Sequence, residues 1–364
     1  MITAKLTIVP EQLHAVVPGG IGVYTREILR ASMGTILSSI PVVEIYGSTW
    51  TGVGEDPFLD FGAPIRYAKG NSRIATRWWD IAPSFAKVEG GTLLSLSMAG
   101  PLSRGANRSI FAIYDLAFRQ VPEVFTPRGR RWHERRLEII LNSEAEVITL
   151  SEESAKDLEA AGFSTDRIHV VLPGSDHLPY PDFERAEQLL LDFGISSPFL
   201  LVVGTLEPRK NLPRIFDAID QARPLLGGEY PVVVIGPDGW GSEGGERRGV
   251  NFAGKVTDRV LSALYQRAAL LIYAPLFEGF GLPPLEAMAA ALPVVASKLP
   301  STDEQVATIV DPLSVESIAD GIVKLLTSES TRSRQVREGL LRSNELTWKE
   351  AGQRLAEIVA GSNE

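Results

Sequence analysis

Short apolar runs alternate with segments of helical periodicity along most of the chain, and this alternation restricts the fold to the α/β class. The runs Phe199–Val203, Val232–Ile235 and Leu270–Tyr273 are apolar at every position. A strand that is apolar on both faces is typical of a parallel sheet covered by helices. The sequence therefore predicts parallel βαβ units.

The same patterns predict the other elements. Further strands are expected at Lys5–Val9, Pro41–Tyr46, Ser109–Tyr114, Glu146–Leu150 and His169–Leu172. Helices are expected at Ile21–Ser32, Gly129–Asn142, Glu152–Ala161 (with Ser151 as its N-cap), Asp182–Phe193, Leu212–Ala222, Asp258–Ala268, Pro283–Ala291, Val315–Leu326, Thr331–Leu341 and Trp348–Val359.

A chain of 364 residues is comfortable for two domains. The pattern of strands and helices breaks between Pro173 and Pro198, where prolines accumulate. We predict two Rossmann-like domains facing each other across a cleft, residues 1–178 and 179–346.

One predicted strand, the loop after it and the next helix carry two carboxylates that could bind a ligand. The strand Leu270–Tyr273 leads into a loop that carries Glu278, and Pro283 and Pro284 start a helix that carries Glu286 in or near its first turn. Ligands bind at the carboxyl ends of strands in such sheets. Helix N-termini attract phosphate, and carboxylates accept hydrogen bonds from sugar hydroxyls. The arrangement suits a sugar attached to a diphosphate.

Residues 278–289 read Glu-Gly-Phe-Gly-Leu-Pro-Pro-Leu-Glu-Ala-Met-Ala, which resembles the signature of the family-4 retaining glycosyltransferases, including two glutamates separated by seven residues. Gly19–Gly22, Val203–Asn211 and Pro293–Ser297 follow the order of that family. The resemblance covers most of the chain. It implies the GT-B fold, with a last helix at 347–364 that crosses back to the first domain.

Arg209 and Lys210 follow a strand end, where two cations could hold a diphosphate. The alternative is a surface loop with two solvated charges. The family places an arginine directly after the glycine of this strand, but Thr205 stands there in this chain. The resemblance therefore implies the phosphate role directly for Lys210, with Arg209 as a substitute, as in the Glu-Pro-Arg-Lys-Asn branch of the family.

The resemblance also implies the other contacts to the donor. Glu286 would hold the nucleotide ribose, and Glu278 would face hydroxyls of the transferred sugar. A carboxylate placed favourably at a helix N-terminus is the alternative for Glu286. We expect Glu278, Arg209 and Lys210 to be catalytic. Backbone groups of the glycine-rich segments would complete the donor site at Gly20, Gly204, Thr205, Gly279, Phe280, Gly281 and Leu282.

The first domain offers residues for the acceptor or the sugar. Pro18–Gly22 is interpreted as a glycine-rich loop, and the resemblance implies that Gly19 and Gly20 approach the donor phosphate or the acceptor. Tyr114 stands where relatives commonly have histidine, and its hydroxyl can still donate or accept a hydrogen bond. Asp115 would bind the acceptor or cap a turn.

A basic cluster lies on the predicted helix Gly129–Asn142 and just before it: Arg128, Arg130, Arg131, His133, Arg135 and Arg136. It is a solvated face or a patch for an anionic acceptor or membrane surface. Trp78 and Trp79 add interfacial aromatics or belong to the core. The net charge of −9 disfavours a nucleic-acid partner.

Composition bounds the compartment and the cofactors. No apolar run approaches the roughly 20 residues of a membrane span, and the opening residues show no signal-peptide pattern. We therefore expect a cytoplasmic protein, peripheral at the inner membrane face if the basic cluster binds lipid. Because cysteine is absent and His14, His169 and His177 lack ligand spacing, we expect no metal site. The nucleotide sugar would be a co-substrate, and no other cofactor is expected.

The resemblance implies a retaining, metal-independent hexosyltransferase of surface polysaccharide biosynthesis that acts on a glycan or lipid-linked acceptor. The Glu-Pro-Arg-Lys-Asn branch, with Gly239 and Trp240 after a strand, resembles mannosyltransferases, so GDP-mannose is the favoured donor. A UDP-hexose or a 6-deoxy-sugar donor is the first alternative. A sugar-nucleotide epimerase and a non-catalytic cytoplasmic sugar-nucleotide-binding protein are two further possibilities.

Overall fold

The computed structural model describes residues 5–81, 88, 90–103, 105–196, 198–239 and 247–361. The chain divides into two compact units. Unit 1 comprises Met1–Gly174 and Trp348–Glu364, and unit 2 comprises Ser175–Thr347. The sequence predicts this boundary between residues 178 and 179, within the same proline-rich stretch.

Unit 1 is built on a parallel sheet. Its strands are β1 Lys5–Val9, β2 Val42–Gly47, β3 Ile65–Tyr67, β4 Thr92–Ser95, β5 Arg108–Ala112, β6 Glu146–Thr149 and β7 Ile168–Val170. Within the described residues the strand order is β3-β2-β1-β4-β5-β6-β7. β1 therefore lies between β2 and β4, where the order reverses, as in a Rossmann sheet. The helices of this part are α1 Gly19–Ser39, α2 Ser72–Ile81, α3 Ala117–Gln120, α4 Pro127–Leu141 and α5 Glu152–Ala160.

Unit 2 repeats the same plan. Its strands are β8 Leu200–Val203, β9 Val232–Ile235, β10 Val250–Gly254, β11 Leu270–Tyr273, β12 Val294–Ala296 and β13 Thr308–Ile309, in the order β10-β9-β8-β11-β12-β13 over the described residues. Its helices are α6 Phe183–Asp192, α7 Leu212–Ala222, α8 Asp258–Arg267, α9 Leu282–Ala289, α10 Val315–Thr327 and α11 Glu329–Glu345. The strand order reverses between β8 and β11, so a ligand crevice is expected at their carboxyl ends.

The last helix, α12 (Trp348–Ala360), belongs to unit 1, where it packs against α1. The contact is close because Gly352 has no side chain. A Cβ there would lie 2.6 Å from the Cβ and from the carbonyl carbon of Ala31. The rings of Trp348 and Tyr24 meet edge to face with centroids 5.5 Å apart. The expected return of the last helix to the first domain is therefore confirmed.

The two points where the chain enters and leaves unit 2 are joined by hydrogen bonds. The Ser175 N–H donates to the carbonyl of Leu346 at 2.9 Å, and its Oγ donates to the carbonyl of Ser343 at 2.7 Å. Ser175 is 6% exposed. The first residue of unit 2 is thus bonded to residues near its carboxyl-terminal end.

The glycine-rich segment Pro18–Gly22 forms the N-cap and first turn of α1, so its interpretation as a loop is wrong. The helix begins at Gly19 and continues to Ser39, so it is longer at both ends than the predicted Ile21–Ser32. The Gly22 N–H donates to the carbonyl of Pro18 at 3.0 Å. A Cβ at Gly22 would lie 2.2 Å from the Pro18 Cβ. The glycine therefore allows the proline ring to pack on the first helical turn.

None of the described helices combines the length and the apolar composition that crossing a bilayer requires.

Candidate functional site

The candidate site of unit 2 lies where β8 and β11 end side by side. These parallel strands pair through Leu200 with Leu270 and Leu201 with Leu271. The chain after β8 forms a 3-10 turn, Pro208–Lys210, and the chain after β11 forms a loop that carries Glu278. Because both segments follow the carboxyl ends of neighbouring strands, the cations and the carboxylate are brought to one edge of the sheet.

Arg209 and Lys210 both bind Glu278. The Lys210 Nζ lies 2.5 Å from Glu278 Oε1, and the Arg209 Nη1 lies 2.6 Å from the same oxygen. The Tyr273 hydroxyl also donates to this oxygen at 2.9 Å. The side chains of Arg209 and Lys210 are only 17% and 13% exposed. The alternative of two solvated loop charges is therefore wrong.

The two charges of this cluster set the ionisation of Glu278. Burial alone would raise the pKa of its carboxyl, but Arg209 and Lys210 outweigh burial and lower that pKa to about 2. Burial lowers the pKa of the Lys210 ammonium, against the opposing attraction of Glu278. Glu278 is thus a buried anion held by two cations at neutral pH.

Glu207 is a second carboxylate in this cluster, and the sequence did not single it out. The Arg209 Nη2 donates to Glu207 Oε1 at 2.6 Å, and Glu207 is 5% exposed. Two cations are therefore balanced by two carboxylates before any ligand binds. A diphosphate would compete with Glu207 and Glu278 for the same donors.

Asn211 holds the two loops of the site together. Its backbone is left-handed, with φ 62° and ψ 29°, a conformation that asparagine tolerates better than most residues. Its amide nitrogen donates to the carbonyl of Ala274 at 3.0 Å and to that of Pro312 at 2.7 Å. The Leu276 N–H adds a bond to the carbonyl of Arg209 at 2.9 Å. These contacts fix the position of Arg209 and Lys210 beside the Glu278 loop.

Gly204 and Thr205 follow β8 directly, and Gly204 lies against the stem of Lys210. Gly204 has φ +150°, and a Cβ there would approach the Lys210 Cε to 3.2 Å. The glycine therefore leaves space for the lysine to run over the end of the strand toward Glu278. The predicted donor contacts of Gly204 and Thr205 stay predictions.

The start of α9 has few backbone donors of its own. Gly281 is the N-cap, with φ 96° and no side-chain cap. Pro283 and Pro284 lack N–H groups, so of the first four helical positions only Leu282 and Leu285 carry a donor. Phe280 is 4% exposed. Any phosphate at this position would rely on the N–H of Leu282 and on those of Gly279–Gly281.

Glu286 lies in the second turn of α9 because the helix starts at Leu282. The alternative of a carboxylate favoured by the first helical turn is therefore wrong. Glu286 is 6% exposed, with His177 Nε2 at 3.1 Å from Oε1 and the Tyr265 hydroxyl donating to Oε2 at 2.7 Å. Burial would raise the pKa of this carboxyl, but the hydrogen bonds from His177 and Tyr265 lower it. Neither partner was singled out from the sequence.

The residues predicted to contact acceptor or sugar lie in unit 1. Gly19 and Gly20 are the first residues of α1. The Tyr114 hydroxyl donates to the carbonyl of Leu96 at 2.8 Å, and burial raises its pKa. Since that O–H is used, Tyr114 could contact a sugar only as an acceptor. Asp115 Oδ1 accepts from the N–H of Ala117 at 2.9 Å, so Asp115 caps a turn, and its contact with the acceptor stays a prediction.

The basic cluster is smaller than the sequence suggests. Arg136 is 1% exposed, and it donates to the carbonyls of Met98 at 2.7 Å and Gly100 at 2.5 Å. His133 stacks on Phe118, and burial lowers its pKa. Arg136 is therefore buried, and His133 is half-buried. The exposed members are Arg128, Arg130, Arg131 and Arg135.

The two adjacent tryptophans also differ in burial. Trp79 is 2% exposed and packs near Tyr46, with ring centroids 5.8 Å apart, whereas Trp78 is 52% exposed. Trp240, part of the resemblance to mannosyltransferases, lies outside the described residues. Among the residues that are described, no three His, Asp or Glu side chains lie close enough to hold a metal ion.

Known proteins resemble this chain in sequence and in fold. The family described as glycosyl transferases group 1 matches residues 193–341. The O-antigen chain mannosyltransferase B of Escherichia coli is 30% identical over 257 residues, which cover 66% of this chain and 67% of that protein. The chain spans only 29% of the longer E. coli serotype-specific mannosyltransferase WbdA, with 26% identity over 239 residues.

Solved structures show the same fold at low sequence identity. Anabaena HepE, in complex with UDP and glucose, has a TM-score of 0.72 and 15% identity, covering 98% of this chain and 100% of its own. WaaG, a glycosyltransferase involved in lipopolysaccharide biosynthesis, has a TM-score of 0.71 and 17% identity, with coverage of 98% and 100%. The predicted α/β fold of GT-B type is therefore confirmed.

The fold is that of an α/β protein of the GT-B type. The chain belongs to the group 1 glycosyl transferases.

Proposed function

We propose that the protein transfers a hexose from a nucleoside-diphosphate sugar to a hydroxyl of a glycan or lipid-linked acceptor, with retention of the anomeric configuration and without a metal ion. The observation that carries this proposal is the convergence of Arg209 and Lys210 on Glu278 at the carboxyl ends of β8 and β11.

The cluster supplies what departure of a diphosphate requires. Arg209 offers a planar fork and Lys210 a compact charge, so together they stabilise the negative charge that develops on the leaving group. The leaving diphosphate takes the acceptor proton on the face from which it departs. Catalysis then consists of positioning and charge stabilisation. When the diphosphate engages the two cations, the Glu278 carboxylate turns to hydroxyls of the sugar.

GDP-mannose is the donor we propose first. The support is the relationship to proteins named as O-antigen mannosyltransferases, which also favours a role in surface polysaccharide biosynthesis. The complex of HepE with UDP and glucose supports a UDP-hexose as the second candidate. A 6-deoxy-sugar donor is the third candidate, and a protein that binds sugar nucleotides without transferring the sugar is the non-catalytic possibility.

The test is a donor screen with two readouts. The protein is incubated with GDP-mannose, UDP-glucose, UDP-N-acetylglucosamine, GDP-fucose and dTDP-rhamnose, and thermal stabilisation and slow nucleotide release are followed. A donor at 100 times its Kd should add about 2.7 kcal/mol of stability. Arg209→Ala and Lys210→Ala should each reduce nucleotide release by about 10²–10³-fold. Arg337→Ala is the matched control, because Arg337 is 67% exposed on α11.

The outcomes separate these possibilities. Stabilisation and release with one donor identify it, and loss of release in the two cluster variants assigns the cations. Stabilisation without release or transfer, under any acceptor tried, would favour a sugar-nucleotide-binding protein. If no donor has any effect, the proposed function is wrong.

We also propose that unit 1 contacts an anionic lipid surface, which would place the enzyme in the cytoplasm at the inner membrane face. On α2, Ile74, Trp78 and Ile81 recur at helical spacing and are 47%, 52% and 62% exposed. Asp80 of α2 accepts a hydrogen bond from Trp132 of α4. The helix α4, which carries exposed arginines, therefore lies beside α2. Apolar and basic side chains together are typical of interfacial helices.

Vesicle co-sedimentation tests this contact. The protein should bind vesicles of phosphatidylglycerol but not of phosphatidylcholine. Trp78→Ser and Arg131→Ser should each weaken binding, while Arg337→Ala should not. Equal binding to both lipids, or no binding, would contradict the lipid contact without affecting the proposed transfer reaction.

A further inference from the structure

Glu286 is held at both of its carboxylate oxygens. His177 Nε2 lies 3.1 Å from Oε1, and the Tyr265 hydroxyl donates to Oε2 at 2.7 Å. The three side chains come from separate segments: Glu286 from α9, Tyr265 from α8, and His177 from the chain that precedes α6. Tyr265 is fully buried, and the His177 side chain is 3% exposed.

This arrangement restricts a side chain that is otherwise loose. The terminal torsion of a glutamate has a broad range, so a carboxylate with a single partner can rotate. One donor on each oxygen fixes the plane of the Glu286 carboxylate. A carboxylate has about four acceptor positions, so His177 and Tyr265 leave both oxygens able to accept further hydrogen bonds.

A pair of neighbouring hydroxyls is the ligand that suits such a carboxylate. The resemblance to the family-4 glycosyltransferases implies that Glu286 holds the ribose of the nucleotide donor, and a ribose offers its 2′ and 3′ hydroxyls as two adjacent donors. Recognition of both hydroxyls requires the carboxylate plane to be set in advance, because a rotating group would meet only one of them well.

We infer that His177 is a positioning residue, which orients Glu286 for ribose and thereby sets the preference of this protein for ribonucleotide over deoxyribonucleotide donors. This inference rests on the proposed function. His177 itself need not touch the ligand, since its ring nitrogen is directed at Glu286. It lies at the start of unit 2, outside the segments that resemble the family signature.

The experiment measures affinity for matched pairs of nucleotides. Kd values are determined by calorimetry for GDP and 2′-deoxy-GDP, for UDP and 2′-deoxy-UDP, and for pyrophosphate. The wild-type protein should prefer the ribonucleotide by roughly tenfold or more, the range expected for a hydrogen bond to a charged group. Pyrophosphate reports on Arg209 and Lys210 alone.

Two variants of matched design isolate the role of His177. His177→Gln keeps an N–H donor at similar reach, so the ribose preference should survive. His177→Asn keeps the donor but is too short for Glu286, so the preference should fall toward one. Pyrophosphate affinity should stay unchanged in both, which also shows that the variants are folded. Tyr265→Phe removes the other donor and should lower the preference as well.

The other possible results contradict either the inference about His177 alone or the proposed function as well. If His177→Asn weakens all ligands equally, His177 is a structural residue and the inference is wrong. If the wild-type protein binds nucleotides without distinguishing deoxyribose, Glu286 is not the ribose ligand and the inference is wrong, while the proposed function stands. If neither nucleoside diphosphate binds, the proposed function fails together with the inference.

Discussion

Arg108 Nη1 donates a 2.6 Å hydrogen bond to the backbone carbonyl of Ile358, which joins strand β5 to the last helix of the chain. The other two nitrogens of the guanidinium bind Glu146 of β6, with Nε 2.5 Å from Oε1 and Nη2 2.6 Å from Oε2. The Ile358 carbonyl is among the last four of α12, and it also accepts a hydrogen bond from the N–H of Gly361 at 3.1 Å. One side chain therefore attaches α12 to the amino-terminal ends of β5 and β6 in unit 1.

We predict that Arg108→Lys lowers the free energy of unfolding by about 1–3 kcal/mol, because an ammonium cannot bind a carboxylate and a carbonyl through a fixed fork. Urea denaturation followed by circular dichroism measures the change. Arg354→Lys on α12 is the control, since Arg354 is 48% exposed. Its effect should stay within about 0.5 kcal/mol. Equal effects of the two substitutions would contradict the role of Arg108.

The left-handed backbone of Asn211 and its two carbonyl contacts can be tested separately. Asn211→Gly keeps the conformation but loses the amide, so it should destabilise the protein by about 1–3 kcal/mol. Asn211→Ala loses both and should cost about 1–3 kcal/mol more. Thermal denaturation of the three proteins measures the order. If glycine and alanine are equivalent, the strained backbone contributes nothing.

Two helical glycines should respond to alanine with opposite signs. At Gly352 a methyl group would meet the backbone of α1, so Gly352→Ala should destabilise by about 1–3 kcal/mol. Gly34 is exposed on α1 with no atom within 4 Å of its Cβ position, so Gly34→Ala should stabilise by about 0.5–1 kcal/mol. Chemical denaturation of both variants checks the pair. A stable Gly352→Ala protein would show that the two helices can separate without cost.

The ion cluster predicts a specific loss of stability in acid. The pKa of Glu278 is about 2 in the folded protein against an ordinary value of 4.5. Its contribution is therefore complete above about pH 4.5 and is lost as the pH falls from there toward 2. The difference in unfolding free energy between wild type and Glu278→Gln should shrink between pH 6 and pH 3.

Urea titrations at four or five pH values measure this difference. Glu357→Gln is the control, because the side chain of Glu357 is 42% exposed. Its difference from wild type should stay near zero throughout. A constant gap between wild type and Glu278→Gln would show that the cations do not stabilise the ionised carboxylate.

Strands that are apolar at every position could be predicted from the sequence almost exactly, because such a run is typical of a strand buried on both faces. Val232–Ile235 and Leu270–Tyr273 have the predicted bounds, and β8 begins one residue later than the predicted Phe199–Val203. Strand β4, Thr92–Ser95, was missed although it pairs with both β1 and β5. Two of its four residues are polar, and Thr92 and Ser95 are nevertheless 2% and 0% exposed. Only the neighbouring strands make such a segment a strand.

In the site, too, some features could be predicted from the sequence and others could not. The approach of Arg209 and Lys210 to Glu278 follows from two strand ends and could be expected from the sequence. The partners Glu207, His177 and Tyr265 could not, because each is defined by a contact between side chains rather than by a local pattern. The burial of Arg136 could not be predicted from the sequence for a similar reason. It lies among arginines that are exposed, and only the carbonyls of Met98 and Gly100 distinguish it.

The membership of α12 in unit 1 has a consequence for biosynthesis. A ribosome completes residues 175–347 before it makes the helix that packs on α1. At about 5–20 residues per second, this interval lasts roughly 10–35 seconds. Throughout it the nascent first unit exposes the face of α1 that Gly352 later covers, and the second unit is free to fold. The contact between α1 and α12 in the amino-terminal unit can therefore form only after the whole second unit has been synthesised.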